Sequence, residues 1–452
     1  MSARLWSSAM SQESAKAKES HTLSTQGYRG TRDFHPDLQR LRSWMYDNIK
    51  AVLESYGYEE YAGPLLEPLE LYASKSSEEI VSEQLYSFED RGGRKVGIRP
   101  EMTPTLARMV ASRSKELLRP IRWYSIPTCM RYERPQRGRL REFDQLNVDV
   151  FGGTPLDEDI EVLLTCHDLL VRLGARPGDF EIRINHRGLV DDLLFGVLNI
   201  NPAQKNPVLR LLDKKDKLPP ETFRAEAEKL WLSAKDIETL ENFMSRPLAE
   251  VRSLLGSQTQ HLDALQERLS FLEALLPPQC IRFDASIMRG FDYYTGLVFE
   301  IYDTHPENRR ALFGGGRYDN LVGAFGVDPL PGIGYGVSDV SLLNFLEVHG
   351  LTPTLKRKTE IAVIRFSESD RGTTLQLAQT LRNAGINVET TLSAGKFGKQ
   401  IQWAERTGAR AVVFRGEDEL KNNTFACKWL ATGQQEIIPL ENVATLANKL
   451  RS

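Results

Sequence analysis

Over residues 143–151 the chain reads FDQLNVDVF, and polar and apolar side chains alternate along it. A period of two is the signature of a strand with one buried face. Leu146, Val148 and Val150 fall on the side suited to a core, while Phe143, Gln145, Asn147 and Asp149 share the other. The text from 121 predicts a second strand joined to this one by an arginine-rich loop. The same period puts Arg131 and Glu133 on one face of that strand. A polar face topped by an aromatic ring suits a sheet floor that holds a small polar ligand.

Upstream, RSWMYDNIKAVLESYGY carries apolar residues at helical spacing and ends near Gly57, a suitable residue to close a helix. EEYAGPLLEPLELY follows as an extended, proline-punctuated segment. Downstream, DIEVLLTCHDLLVRLG predicts a helix ending at Gly174, and FEIRIN a short strand. Charged helical text then dominates from about 187 to 275 and reads as a helical insertion. CIRFDASI and GLVFEIYD restore strand text around a turn. Strands, helices and strands again predict an α+β domain built on an antiparallel sheet, interrupted by an insert. After the linker TPTLKRK, the strands IAVIRF, INVETTL, RAVVFRG and QEIIPL alternate with helical stretches, which predicts a small α/β domain. The expected organisation is a disordered leader over 1–26, a main domain over 27–355 and a second domain over 358–452.

Length and charge narrow the class. A chain of 452 residues is too long for one ordinary core. A net charge of -3 does not advertise a nucleic-acid binder, so any basic surface must be local. Cys129, Cys166, Cys280 and Cys427 form no C-x-x-C pair and read as small buried hydrophobes in a reducing compartment, neither zinc ligands nor a disulfide framework. No apolar run approaches the roughly 18 residues of a membrane span. The leader has no apolar core, and Glu13 and Glu19 argue against an organelle signal. A cytoplasmic protein is expected, and Met10 leaves open a second start.

Four stretches carry candidate chemistry. The loop before the alternating strand holds Arg134, Arg137, Arg139 and Arg141 against one acid, Glu142. Four guanidiniums repel one another unless solvated or given phosphates to bind, and a solvated hairpin is the competing reading. RPEMTPTLARMV puts Glu101 and Thr103 at a helix start, where Thr103 would cap the helix or the pair would receive an ammonium group; taken alone, capping is favoured. MRGFDYYTGLVFEIYD joins Arg289 to Tyr293 and Tyr294, and FGGGRYDNLVGAFG follows it with three glycines before Arg317. In PGIGYGVSDVSLL, glycines 332, 334 and 336 suggest either a dinucleotide fingerprint or close approach of a ligand to backbone.

Taken in order from about Gly27 onward, these segments resemble class II aminoacyl-tRNA synthetases, and within them the histidyl-tRNA synthetases. RGTRDFHP and the helix after it look like the opening with class motif 1, ending near Pro64 at what would be a dimer interface. RYERPQRGRLREFDQLNVDVFG resembles motif 2; RGFDYYTGLVFE and FGGGRYDNLVGAFG resemble the histidine-specific signatures; the stretch from 358 resembles the anticodon-binding domain. The resemblance implies activation of histidine by ATP, brought with Mg²⁺, and transfer to histidine tRNA by a homodimer with no protein-bound metal. It also implies roles. Arg131 would hold the α-phosphate and the histidine carboxylate, Arg289 the α-phosphate, and Arg139 the outer phosphates. Phe143 would stack on adenine and Glu133 would meet its edge. Glu101, Thr103, Gln145, Asp149, Tyr293 and Tyr294 would form the histidine pocket, with Asp149 where the family usually has glutamate. Arg134 and Gln136 would contact the extra 5′ guanine of histidine tRNA.

One departure stands out. Where family members end motif 3 with an arginine for the γ-phosphate, this chain reads Gly336-Val337-Ser338-Asp339. Arg137, Arg317 or a Mg²⁺ ion held by Asp339 are the expected substitutes. The competing functional readings are a histidine-sensing paralogue, such as the regulatory subunit of ATP phosphoribosyltransferase, and a tRNA-binding module without ligation. Such regulators usually lack the C-terminal domain that this chain keeps.

Overall fold

The computed structural model describes residues 24–75, 80–213, 215, 218–256, 259–287 and 293–451. The chain divides into two units, Met1–Pro353 and Thr354–Ser452. In the first, the strands in chain order are β1 (Glu59–Glu60), β2 (Leu66–Pro68), β3 (Ser87–Glu89), β4 (Lys95–Ile98), β5 (Ile121–Ser125), β6 (Thr128–Met130), β7 (Glu142–Phe151), β8 (Phe180–His186), β9 (Ile281–Phe283), β10 (Leu297–Asp303), β11 (Arg310–Tyr318) and β12 (Gly332–Ser338). Among the described residues the large sheet has the order β1-β5-β7-β12-β11-β10-β8-β9, with β6 paired to the first residues of β7. Its pairs are antiparallel apart from β1 with β5 and β8 with β9. Strands β2, β4 and β3 form a small antiparallel sheet.

Helices α1 (Pro36–Ser55), α2 (Thr103–Ser112), α3 (Pro155–Arg172), α4 (Gln260–Leu275) and α5 (Asp339–Val348) flank these sheets. Leu146, Val148 and Val150 of β7 and Ile333, Tyr335 and Val337 of β12 bury one face of the large sheet against α1, α3 and α5. Met45, Leu53, Cys166, Leu169 and Phe345 are the helix side of that core. Each such Leu, Val or Phe contributes about 1.5–3 kcal/mol by leaving water, and this holds the opposite face in place as a floor.

One strand expectation is corrected. Arg131 and Glu133 do not belong to a strand: β6 stops at Met130, and the chain runs irregularly to Arg141. With Pro135 and five arginines, this segment has neither the alternation nor the β-branched content that sustains a ladder. CIRFDASI and GLVFEIYD do supply strands of the same sheet, with β8 between them, parallel to β9 and antiparallel to β10. Between β8 and β9 the described chain is helical, and Phe223, Leu240, Phe243 and Val251 there join the main core.

The second unit holds β13 (Ile361–Val363), β14 (Val388–Thr390), β15 (Ala411–Phe414), β16 (Thr424–Trp429) and β17 (Gln435–Pro439), in the sheet order β14-β13-β15-β16-β17. Its helices include α6 (Arg371–Asn383), α7 (Phe397–Thr407) and α8 (Val443–Arg451). Ile361 and Val363 pack with Leu377, Leu381, Leu446 and Leu450 on one face; Ala362, Ile364 and Val412 pack with Ala404 on the other. A strand covered on both faces explains why IAVI is apolar without alternation.

Candidate active site

The register of three antiparallel strands builds the floor. Gln145, Asn147 and Asp149 of β7 pair with Ser338, Gly336 and Gly334 of β12, and Gly336 and Gly334 pair in turn with Gly314 and Gly316 of β11. Directly paired residues project to the same side, so the polar row of β7 faces a lane of glycines. A Cβ on Gly334 would collide with the Asp149 carboxylate and lie 2.6 Å from the Val148 carbonyl oxygen. These glycines leave room beside polar side chains; they do not shape a phosphate-binding turn. A cavity of about 370 Å³ opens above them.

At its deep end, Asp149 accepts a hydrogen bond from the Tyr318 hydroxyl through Oδ1, while Oδ2 is buried without a hydrogen-bond partner among the described residues. Burial pushes the Asp149 carboxyl up to about 7, the Tyr318 hydrogen bond opposing it. Tyr293 and Tyr294 meet edge to face at 5.0 Å, and their ring centroids lie 5.8 and 6.4 Å from that of Tyr318. Glu101 is buried at the cavity wall, and Asn147 Nδ2 donates to Thr103 Oγ1 at 3.3 Å. Capping by Thr103 is corrected: Thr103 is the first residue of α2, and its N-cap, Met102, offers no side-chain bond. Gln145 completes the row, donating to Asn147 Oδ1 at 2.9 Å.

At the shallow end, Arg131 is anchored by Nε to the Pro100 carbonyl oxygen at 2.9 Å, and its guanidinium lies 5.3 Å from the Phe143 ring centroid. Glu133 stands between two cations, 3.9 Å from Arg131 and 3.7 Å from Arg139. All four residues line the cavity. Arg134 and Gln136 are exposed and do not line it; Gln136 and Arg139 exchange backbone hydrogen bonds of 3.0 and 2.9 Å that close the turn through Arg137 and Gly138. Arg289 lies outside the described residues.

Asp339 is not where the sequence suggested. Its Oδ2 accepts from Arg32 Nη2 at 2.6 Å and its Oδ1 from the Asp144 backbone N–H at 3.1 Å, so both oxygens are engaged away from the cavity. Burial raises its carboxyl and Arg32 opposes the rise. A Mg²⁺ ion held by Asp339 is therefore corrected, and among the described residues no group of three or more His, Cys, Asp or Glu could hold a metal ion. Arg317 is corrected too. It pairs with Ile333 on the core face and is bound to Asp159 at 2.7 Å and Glu158 at 2.9 Å. Arg137 gives its Nε to Asn344 Oδ1 at 2.8 Å. The four cysteines are free and buried.

The family model described as histidyl-tRNA synthetase matches residues 30–340, and that of an anticodon binding domain matches 360–450. The chain belongs to the histidyl-tRNA synthetase family. A histidine–tRNA ligase from Leptospira biflexa is 43% identical over 414 residues, 91% of this chain and 95% of that one. The crystal structure of histidyl-tRNA synthetase from Nostoc superposes with a TM-score of 0.79 at 26% identity, covering 95% of this chain and 99% of that one. A Bacillus halodurans structure described as an ATP phosphoribosyltransferase regulatory subunit/histidyl-tRNA synthetase gives 0.71 at 27% identity, covering 87% and 99%. The activity is that of a histidyl-tRNA synthetase: ATP-dependent ligation of histidine to tRNA. The regulatory reading is the less supported of the two, since the curated relatives are ligases and the anticodon-binding segment is present.

Asn147 and Tyr318 line the cavity of this synthetase but carried no assigned role from sequence, and neither did Arg32, which lies outside it. Asn147 was legible by alternation. Tyr318 reaches Asp149 only through the β11–β12–β7 register. Nothing local marked Arg32, which meets Asp339 across 307 positions of chain.

Proposed function

We propose that the deep end of the cavity binds histidine and that the shallow end binds ATP. Glu101, Thr103, Gln145, Asp149, Tyr293 and Tyr294 form the amino-acid pocket. A histidine ligand presents two ring nitrogens and an ammonium group, and acids, amides and phenols satisfy them where an apolar slot would leave them unpaired. Phe143 stacks on adenine and Glu133 meets its edge. Arg131 spans the α-phosphate and the histidine carboxylate; Arg139 takes the outer phosphates, and Arg289 acts at the α-phosphate. ATP enters as its Mg²⁺ complex, the metal arriving with the triphosphate.

Activation forms a bond between a histidine carboxylate oxygen and the α-phosphorus and breaks the bond to the β-bridging oxygen, whose electron pair leaves with pyrophosphate. Negative charge moves outward along the phosphates, so fixed cations around them are the expected catalysts. Transfer to the 3′ end of histidine tRNA follows. Arg134 and Gln136, exposed at the tip of their loop, read the extra 5′ guanine, and arginine suits guanine edges and phosphates. We assign the leader to 1–26, of which only 24–26 are described, the catalytic domain to 27–355 and the anticodon-binding domain to 358–452.

The observation that carries this reading is the single cavity in which Asp149, Gln145, Glu101 and the tyrosines face Arg131 and Phe143. We also infer a homodimer, supported by Leu65, Leu66 and Phe88, which leave apolar surface exposed on and beside the small sheet. A cytoplasmic location fits the free cysteines, and no helix among the described residues is long and apolar enough to cross a membrane. The test is exchange of labelled pyrophosphate into ATP by the purified chain. Exchange that requires histidine, and charging of histidine tRNA, are expected; histidine binding without exchange would sink the proposal.

A further inference from the structure

Arg310 opens β11, the strand that supplies Leu312 and Gly314 to the cavity wall. Its guanidinium lies flat against Gly138, so close that a Cβ there would overlap it, and Gly138 and Arg139 both line the cavity. Gly138 has φ +77°, which together with this contact restricts the position to glycine. Nη1 of Arg310 donates to the Arg137 carbonyl oxygen at 2.6 Å, while Nη2 is buried and without a hydrogen-bond partner among the described residues. Arg137 and Arg139 both act on Arg310 electrostatically, so three guanidiniums gather beside the cavity, and Arg139 is the one of them that lines it. Among the described residues the only carboxylate within ion-pair distance of the three is Glu133, 3.7 Å from Arg139. Asp303, the acid that most favours the charged form of Arg310, is itself committed to His349 at 2.9 Å and Asn308 at 2.6 Å. Burial first, and then Arg137 and Arg139, lower the proton affinity of Arg310.

Such a cluster is electrostatically incomplete without a highly charged anion. The family's usual cation for the γ-phosphate is missing, and the acid in its place is turned to Arg32. We infer that Arg310, with Arg139 across the Gly138 turn, receives the outer phosphates of ATP and stabilises the departing pyrophosphate in place of the arginine absent at 339. This rests on the reading of the cavity as the ATP site. Arg310 forms no covalent bond in the reaction; it offsets charge as the electron pair leaves with pyrophosphate.

The test compares Arg310→Gln and Arg310→Lys with the unaltered full-length chain, measuring pyrophosphate exchange and the binding of ATP, AMP and histidine. For Arg310→Gln, kcat/KM for ATP should fall roughly 10²-fold and ATP binding should weaken, since one fixed donor at a developing charge has about that effect. AMP, which lacks the outer phosphates, and histidine should bind within about twofold of the unaltered chain, and Arg310→Lys should recover part of the loss. Unchanged ATP kinetics in Arg310→Gln would overturn the inference while leaving the ATP site standing. Equal losses of ATP and AMP would also overturn it, by showing that Arg310 only supports the Gly138 turn. If the unaltered chain shows no exchange, the ATP-site reading fails instead.

Discussion

Asp149 is a carboxyl group held in apolar and phenolic surroundings, with one oxygen paired to Tyr318 and the other unpaired among the described residues. Its pKa of about 7 lies above the ordinary 3.8, so the folded chain binds this proton more tightly than the unfolded chain. Stability from this group is therefore fully present below about 4 and is lost as pH rises through about 7, by up to about 1.4 kcal/mol per unit. Asp149→Asn keeps a partner for Tyr318 and cannot ionise. Thermal melts should show the variant gaining on the parent between pH 5 and 7, with a constant gap above that. Its histidine affinity, measured by calorimetry, should fall by about 10–100-fold through loss of a charged acceptor. A stability gap independent of pH would show that Asp149 does not titrate there.

The junction of β12 with α5 explains how the Asp339 carboxylate is turned away from the cavity. The β7–β12 ladder ends with Ser338 opposite Gln145, and the next rung is the Asp144 N–H bonded to the Asp339 side chain. Asp339 also sits in the first turn of α5, where helix polarity favours a negative charge, and Ser338 caps that helix by accepting from the Ser341 N–H. Arg32 completes the arrangement from the segment before α1. Arg32→Ala should leave Asp339 buried without its countercharge and cost about 3 kcal/mol, the low end for a broken pair because Arg32 keeps some solvent contact. Chemical denaturation would read the loss, and Arg32→Ala/Asp339→Asn should recover much of it. Additive losses in that double variant would show that the two residues do not act as a pair.

Each of the two units closes its own hydrophobic core. The cavity proposed for histidine activation has all of its lining in the first unit. A chain ending after Pro353 should therefore keep histidine-dependent exchange near the full-length rate. Charging of tRNA should fall by roughly 10²-fold in kcat/KM, as expected when one of two modules gripping the same ligand is removed. Exchange lost together with charging would show that the first unit depends on the second to fold.

The alternation FDQLNVDVF was enough to set which residues of β7 face the floor, because a period of two leaves no freedom once one face is buried. The break to helical text after β8 and the uninterrupted apolar strands of the second unit were legible for the same reason, since local periodicity reports local burial. The Arg131–Glu133 segment was misread as strand because a few residues of proline- and arginine-rich chain carry no period to judge by. Long-range placement was out of reach of the pattern. That β8 separates β9 from β10, that Tyr318 meets Asp149, that Arg317 faces inward, and that Arg32 reaches Asp339 all depend on strand order and register, which pairing between distant segments decides. Residue types along the chain thus specified the chemistry available to this protein. Only the closed sheet, by setting neighbours hundreds of residues apart, decided that Asp339 belongs to the scaffold and that Arg310 lies against the Gly138 turn.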